Sequence, residues 1–221
     1  MLTRNSLDPS LKQLDPVAKQ PERGVESSEM SPMEPPEAYD PPAMDPIALA
    51  DLHPFLRGLS EEHVALAAEL KAVEAVIASV KSDGLTRERF RELNRFLSVI
   101  DRDFIPHCRQ EELALFPLLS ERLITHGEHS TGRERRTAID VMMEDHLRAI
   151  QLAAVILNFF QIASKLPDER SAGMVIEAAL RETTQLVELL RLHMFREDNI
   201  VFASAQRLLV TEELDGMRPR S

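Results

Sequence analysis

The stretch His107-Cys108-Arg109-Gln110-Glu111-Glu112-Leu113-Ala114-Leu115-Phe116 reappears as His193-Met194-Phe195-Arg196-Glu197-Asp198-Asn199-Ile200-Val201-Phe202. Both copies read His-x-x-x-Glu-acid-x-x-x-Phe. On an α-helix, residues four apart lie on the same face, so each copy aims an imidazole and a carboxylate at one point. An earlier histidine with two acidic neighbours precedes each copy, in Glu61-Glu62-His63 and in Glu144-Asp145-His146. The repeat reads as one helical hairpin used twice.

The periodicity agrees. Leu59, His63, Leu66, Leu70, Val73, Ile77 and Val80 recur at three and four residues, the mark of a helix with one apolar face; Ser60 reads as its N-cap and Ser82-Asp83-Gly84 as its end. A second helix capped by Thr86 carries Phe90, Leu93, Leu97, Ile100, Phe104, His107, Glu111, Leu115 and Leu118 in line, with Pro106 expected to kink it. Residues 126 to 134 read as a loop. Ile139, Met142, His146, Ala149, Ala153, Ile156 and Phe160 line a third helix that ends before Pro167-Asp168. A fourth, from about Ala172 to Leu209, aligns Ile176, Ala179, Leu186, Leu189, His193, Glu197, Ile200 and Ser204. No useful length alternates with a period of two. The expected fold is all-α, an up-down-up-down four-helix bundle over residues 46–212, whose facing core side chains can build a cofactor site.

His63, His107, Glu111, His146, His193 and Glu197 occupy stripe positions otherwise held by Leu, Ile, Val and Phe. Each orphaned buried polar group costs roughly 1–3 kcal/mol, and a bare charge more, so something must satisfy six of them. A single core histidine is ordinarily hydrogen-bonded to a neighbour. Four, with two glutamates and repeated with the duplication, point instead to metal ligation. Imidazole with carboxylate suits iron, manganese or zinc better than magnesium or calcium, which take oxygen ligands. Two carboxylates placed to bridge imply two metals.

With those residues in place the chain resembles the hemerythrin-like, or HHE cation-binding, domains over about residues 46 to 210. In that family the first and third helices each supply a histidine, and the second and fourth each supply His-x-x-x-Glu. Supporting residues match as well: Leu66, Leu70 and Glu74 after Glu62-His63, and Leu115-Phe116-Pro117 after Glu111-Glu112. The resemblance implies two irons per chain, oxo- or hydroxo-bridged, with His63, His107, His146 and His193 as terminal ligands and Glu111 and Glu197 as bridges. The oxygen carriers have a further histidine four residues after the third-helix ligand. This chain has Ile150 there, which implies an open position and a centre that reacts with oxygen, peroxide or nitric oxide, or senses iron and redox state. Asp198 lies at the spacing of the carriers' bridging aspartate, so either it or Glu197 could bridge; Glu197 is preferred because it repeats Glu111. The related di-iron repair proteins usually carry an N-terminal cysteine domain, whereas this chain has only Cys108. Turnover and simple binding are both compatible with the ligand set.

Composition closes other routes. A net charge of -11 argues against nucleic acid or an anionic membrane as partner. One cysteine excludes an intrachain disulfide, and no apolar run of signal-peptide length or of the ~20 residues of a membrane span is read, so a soluble cytoplasmic protein is expected. Nine of the 14 prolines lie in the first 46 residues, with nine acidic and four basic side chains. Residues 1–45 therefore read as a disordered acidic tail that can engage a partner protein, and residues 213–221 as a flexible end. His53, His126 and His129 are expected in solvent, and Cys108 packed rather than ligating. Phe116 and Phe202 read as core, keeping bulk water from the centre. Glu62, Glu112 and Asp145 read equally well as hydrogen-bond acceptors for ligand imidazoles or as surface acids. The competing function is a regulatory interaction module whose bundle is stabilised by metal without turnover. A ferritin-type site needs Glu-x-x-His pairs, and no histidine here has a Glu three residues before it. A phosphotransfer bundle needs one exposed histidine, not four on apolar faces.

Overall fold

Pro54 opens the first helix, and the reason is local: a proline at the first helical position has φ preset and no amide hydrogen to satisfy. A computed structural model describes residues 47–131 and 133–217. After a short 3-10 turn at Leu49–Asp51, α1 runs Pro54–Asp83, and α2 runs Arg87–Val99. The second helical run then continues through α3 (Ile105–Gln110) and α4 (Phe116–Thr125). Next come α5 (Ala138–Ala163), α6 (Glu169–Arg196), α7 (Phe202–Leu208) and α8 (Thr211–Gly216). Every regular element among the described residues is helical. The expected tail over residues 1–45 lies outside the described residues.

The caps follow side-chain chemistry. Thr86 accepts from the Arg89 amide, and Gly84, at φ 83°, takes the left-handed turn that ends α1. Thr137 and Asp140 form a reciprocal capping box at the start of α5. Two expectations are corrected at α1. Its N-cap is His53, whose Nδ1 accepts from the Phe55 amide at 3.3 Å, not Ser60. The helix starts seven residues earlier because Phe55, Leu56 and Leu59 bury there. His53 is consequently buried, not in solvent, and its backbone amide donates to Gln206 at 2.7 Å. A third correction concerns the C-terminal end. Residues 213–216, read as flexible, fall in α8, where Leu214 is 1% exposed and Glu213 meets Arg122 at 2.7 Å.

Three π-helical turns interrupt the runs, at Ile100–Phe104, Glu111–Leu115 and Glu197–Val201. In each, an amide reaches back five residues: Ile105 to Ile100, Phe116 to Glu111, Phe202 to Glu197. Two of these turns begin at the repeated glutamates. Pro106 and Pro117 each follow a wide turn immediately, so the missing amide hydrogen is absorbed there and the run continues. The second copy has Ala203 where the first has Pro117, so proline alone does not cause the turn. After the two turns that begin at Glu111 and Glu197 an inward position moves on by one residue. Leu119 rather than Leu118, and Val201 rather than Ile200, is fully buried.

α5 and α6 pack along each other, α1 packs on α2 and α6, and α4 packs on α5 and α7. The apolar interior forms two clusters. One gathers Leu66, Leu70, Phe96, Ile100, Phe104, Ile156 and Leu190; the other gathers Phe55, Leu56, Leu59, Leu119, Met142 and Phe202. All six predicted polar core residues sit on the helices between these clusters, for example His63 between Leu59 and Leu66. α5 also departs from the sequence reading: it is long and apolar enough by composition to cross a membrane, because apolar residues occupy its outer as well as its inner face.

Candidate metal centre

His63, His107, Glu111, His146, His193 and Glu197 converge in the polar layer, each at most 5% exposed. His63 Nε2 lies 3.1 Å from Glu197 Oε2, and His193 Nε2 lies 3.2 Å from the same oxygen. Glu111 Oε2 stands 3.4 Å from both His107 Nε2 and His146 Nε2. The Nε2 atoms of His63 and His107 face each other at 3.1 Å. Both carboxylates, His146 Nε2 and both ring nitrogens of His193 have no hydrogen-bond partner of proper geometry. Buried polar atoms left this way are costly, and donors converging on a common point are what a cation would satisfy.

The outer ring nitrogens are accounted for separately. His63 Nδ1 meets Asp198 at 3.0 Å, His107 Nδ1 meets Glu62 at 2.7 Å, and His146 Nδ1 meets Glu112 at 2.8 Å. A carboxylate only accepts, so each Nδ1–H donates and each Nε2 is turned inward. His193 Nδ1 stands 3.8 Å from Asp145, which instead accepts from Arg196 at 2.9 Å. The acids thus serve the inner ring rather than a bare surface. Asp198 meets the outer nitrogen of His63, and Ser60 donates to the same oxygen at 2.8 Å. The signal for that role was in the repeat, since Asp198 occupies in the second copy the place of Glu112 in the first. Ser60 and Arg196 carried no sequence signal for their places beside the site.

The phenylalanines that close each motif copy also reach across. Phe116 stacks on His146 at 5.6 Å, Phe202 stacks on His63 at 5.5 Å, and Phe104 sets its edge against His146 and His193. Cys108 is buried in the apolar cluster, and burial pushes its thiol well above the ordinary range, so it offers no thiolate. His126 lies on the surface and His129 is half-buried in the loop; neither approaches the centre.

In the metal-free site the two glutamates differ. Burial and the charge of Glu197 push Glu111 well above the usual carboxyl range. Burial opposes charge on Glu197 too, but His193, His107 and His63 hold it well below that range. For His63, burial is outweighed by Asp198 and Glu197, which raise it to about 9. For His107, burial is outweighed by Glu111, Glu197 and Glu62, again to about 9. Burial and the neighbouring His193 lower His146.

Two donor groups result. Glu111, His146, His193 and Glu197 form one, and His63, His107 and Glu197 form the other, with donor atoms in each within 4.8 Å of one another. Glu197 belongs to both. A pocket of about 540 Å³ reaches His63 and His107 past Glu62, Leu66, Arg102 and Phe104. The three-donor group therefore faces the approach from outside.

No curated protein matches the chain. The family model for the hemerythrin HHE cation-binding domain matches residues 54–205, which span α1 to most of α7 and contain all six converging side chains. The chain belongs to the hemerythrin HHE cation-binding domain family.

Proposed function

We propose that the chain is a non-heme di-iron protein that binds or reacts with a small oxidant: oxygen, peroxide or nitric oxide. The observation that carries this reading is that one buried carboxylate, Glu197, belongs to two adjacent donor groups, one of which has only three donors and faces a pocket. Four imidazoles and two carboxylates fit iron, with manganese and zinc as the alternatives that metal analysis separates. His63, His107 and Glu197 would hold one ion, and Glu111, His146, His193 and Glu197 the other. Iron bound there supplies the electrons for reducing an oxidant. The protein's own part is to fix the imidazoles through Glu62, Glu112 and Asp198, to keep water out with Phe104, Phe116 and Phe202, and to admit a small molecule beside His63 and His107.

The finer architecture we assign is the up-down-up-down four-helix bundle, in which each hairpin contributes half of the centre. A cytoplasmic location and a partner bound through the tail complete the proposal. A second reading has its own support: the site lies where the two apolar clusters meet, so a bound cation would tie them together and could regulate an interaction without turnover.

The test is metal analysis and optical spectroscopy of protein from iron-fed cells, reduced and then exposed to air. The reading expects about two irons per chain and a near-ultraviolet ferric absorption that His107→Ala and Glu197→Ala abolish. One zinc per chain, or a folded protein that takes up no metal, would refute it.

A further inference from the structure

α5 presents two apolar faces, and only one has a partner. Ile139, Met142, His146, Ala149, Ile156 and Phe160 face the bundle interior. On the outside, Met143, Leu147, Ile150, Ala154, Leu157 and Gln161 are all exposed and follow one another at four, three, four, three and four residues. That is the 3.5-residue repeat of a coiled-coil seam. Leu147 is 58% exposed and Leu157 is 44% exposed. Val155 and Ile162 flank the stripe and are exposed as well. Between Leu147 and Ala163 the sole charged residue is Arg148, in a chain with 29% charged residues. The most apolar 18-residue window of this helix has a mean hydropathy of 1.3 and is only 33% buried. Elsewhere exposed apolar side chains sit among charges, as Leu192 and Phe195 do beside Glu188, Arg191 and Arg196. Scattered exposure is ordinary, but a continuous uncharged stripe marks an interaction surface.

We propose that the outer face of α5 is an interface with a second copy of this chain, the two α5 helices packing antiparallel about a two-fold axis. The self-matching spacing of the stripe selects the occupant, and charge selects the place. Two bodies of net charge -11 repel over most of their surfaces and can approach where acid is missing, which on α5 is the stretch after Asp145. An anionic membrane meets the same repulsion without the compensation of a matching stripe. A single stripe of this kind is self-complementary, as an isologous contact requires. With the axis beside Ile150 and Ala154, Leu147 lies against Leu157 of the partner subunit, and the small Ala154 lets the helices close. His146 points to the other side of α5, so pairing leaves the donor groups untouched.

The test is sedimentation equilibrium of the full chain at high micromolar concentration, with and without iron. The expected mass is twice the 25.0 kDa of one chain. A chain carrying Ala154→Glu and Leu157→Glu should sediment at 25.0 kDa with unchanged helical signal and unchanged iron content. Should that pair of changes prevent folding, Ala154→Cys gives a second measure. Cys108 is buried, so a bismaleimide spanning ~10 Å, near the interaxial distance of packed helices, should join two chains only through position 154. A monomer at every concentration, a dimer indifferent to the two glutamates, no crosslink at position 154, or binding of the monomer to phosphatidylcholine vesicles would each overturn the proposal.

Discussion

The two copies of the motif are alike in spacing and unlike in circumstance. In both, an imidazole and a glutamate lie one turn apart, a wide turn opens at the glutamate, and the closing phenylalanine and second acid serve a histidine of the other hairpin: Phe116 and Glu112 reach His146, Phe202 and Asp198 reach His63. Glu111, however, stands in one donor group and Glu197 in two. Burial and its neighbour push Glu111 well above the usual carboxyl range, while three imidazoles hold Glu197 well below it. Arg196 also draws Asp145 away from His193, whereas Gln110 at the matching place of the first copy leaves Glu62 on His107. Duplication sets which side chains arrive; the packing around them sets what each one does.

The sharpest way to break that comparison is to remove each glutamate. Glu197→Ala should reduce uptake to one ion at most, held by Glu111, His146 and His193, whereas Glu111→Ala leaves three donors in each group and should weaken affinity without losing the second ion, as metal analysis of the two variants would read. Equal losses would make the two copies equivalent. Next in size are the acids behind the rings. Glu112→Gln and Asp198→Asn should each weaken metal affinity by about 10–100-fold in competition titrations, the usual effect of an outer hydrogen-bond partner. Asp145→Asn should cost less than tenfold because its contact with His193 is already 3.8 Å.

Much of this was legible in the sequence. The six converging residues were readable because a polar residue on an apolar stripe is conspicuous, and the repeat counted each kind twice. The wide turns were not, since an amide that skips one carbonyl is not written in residue type, and so Leu118 and Ile200 were placed on the inward stripe in place of Leu119 and Val201. Asp198 suggested a bridge from its distance to His193; its contact with His63, seen in the structure, is what its alignment with Glu112 would have pointed to. His53 was misjudged because a proline at the first helical position resembles a lead-in segment until the burial of Phe55 and Leu56 is known.

Two smaller tests sharpen the comparison further. His63 and His107, raised to about 9 in the folded metal-free chain against an ordinary 6.5, contribute stability that is complete below pH 6.5 and lost as pH rises through about 9. Metal must displace their protons, so uptake on this side should strengthen as pH rises from 6.5 to about 9. The gain should be about tenfold per pH unit for each proton released, then level off. Calorimetric titration in buffers of different ionisation enthalpy would count those protons. The smallest effect should come from the stacked rings: Phe116→Leu and Phe202→Leu should each lower stability by about 1 kcal/mol in urea unfolding, and by similar amounts, because both stack on a histidine in the same way.

The central claim is two inequivalent ions joined through Glu197, and the Mössbauer spectrum of the chain reconstituted with ⁵⁷Fe tests it most directly. Two doublets of equal area, of which the one from the His63 and His107 side is lost in Glu197→Ala while both persist in Glu111→Ala, are the result expected from the shared carboxylate. A single doublet from one iron per chain, or two doublets that both persist without Glu197, would contradict it.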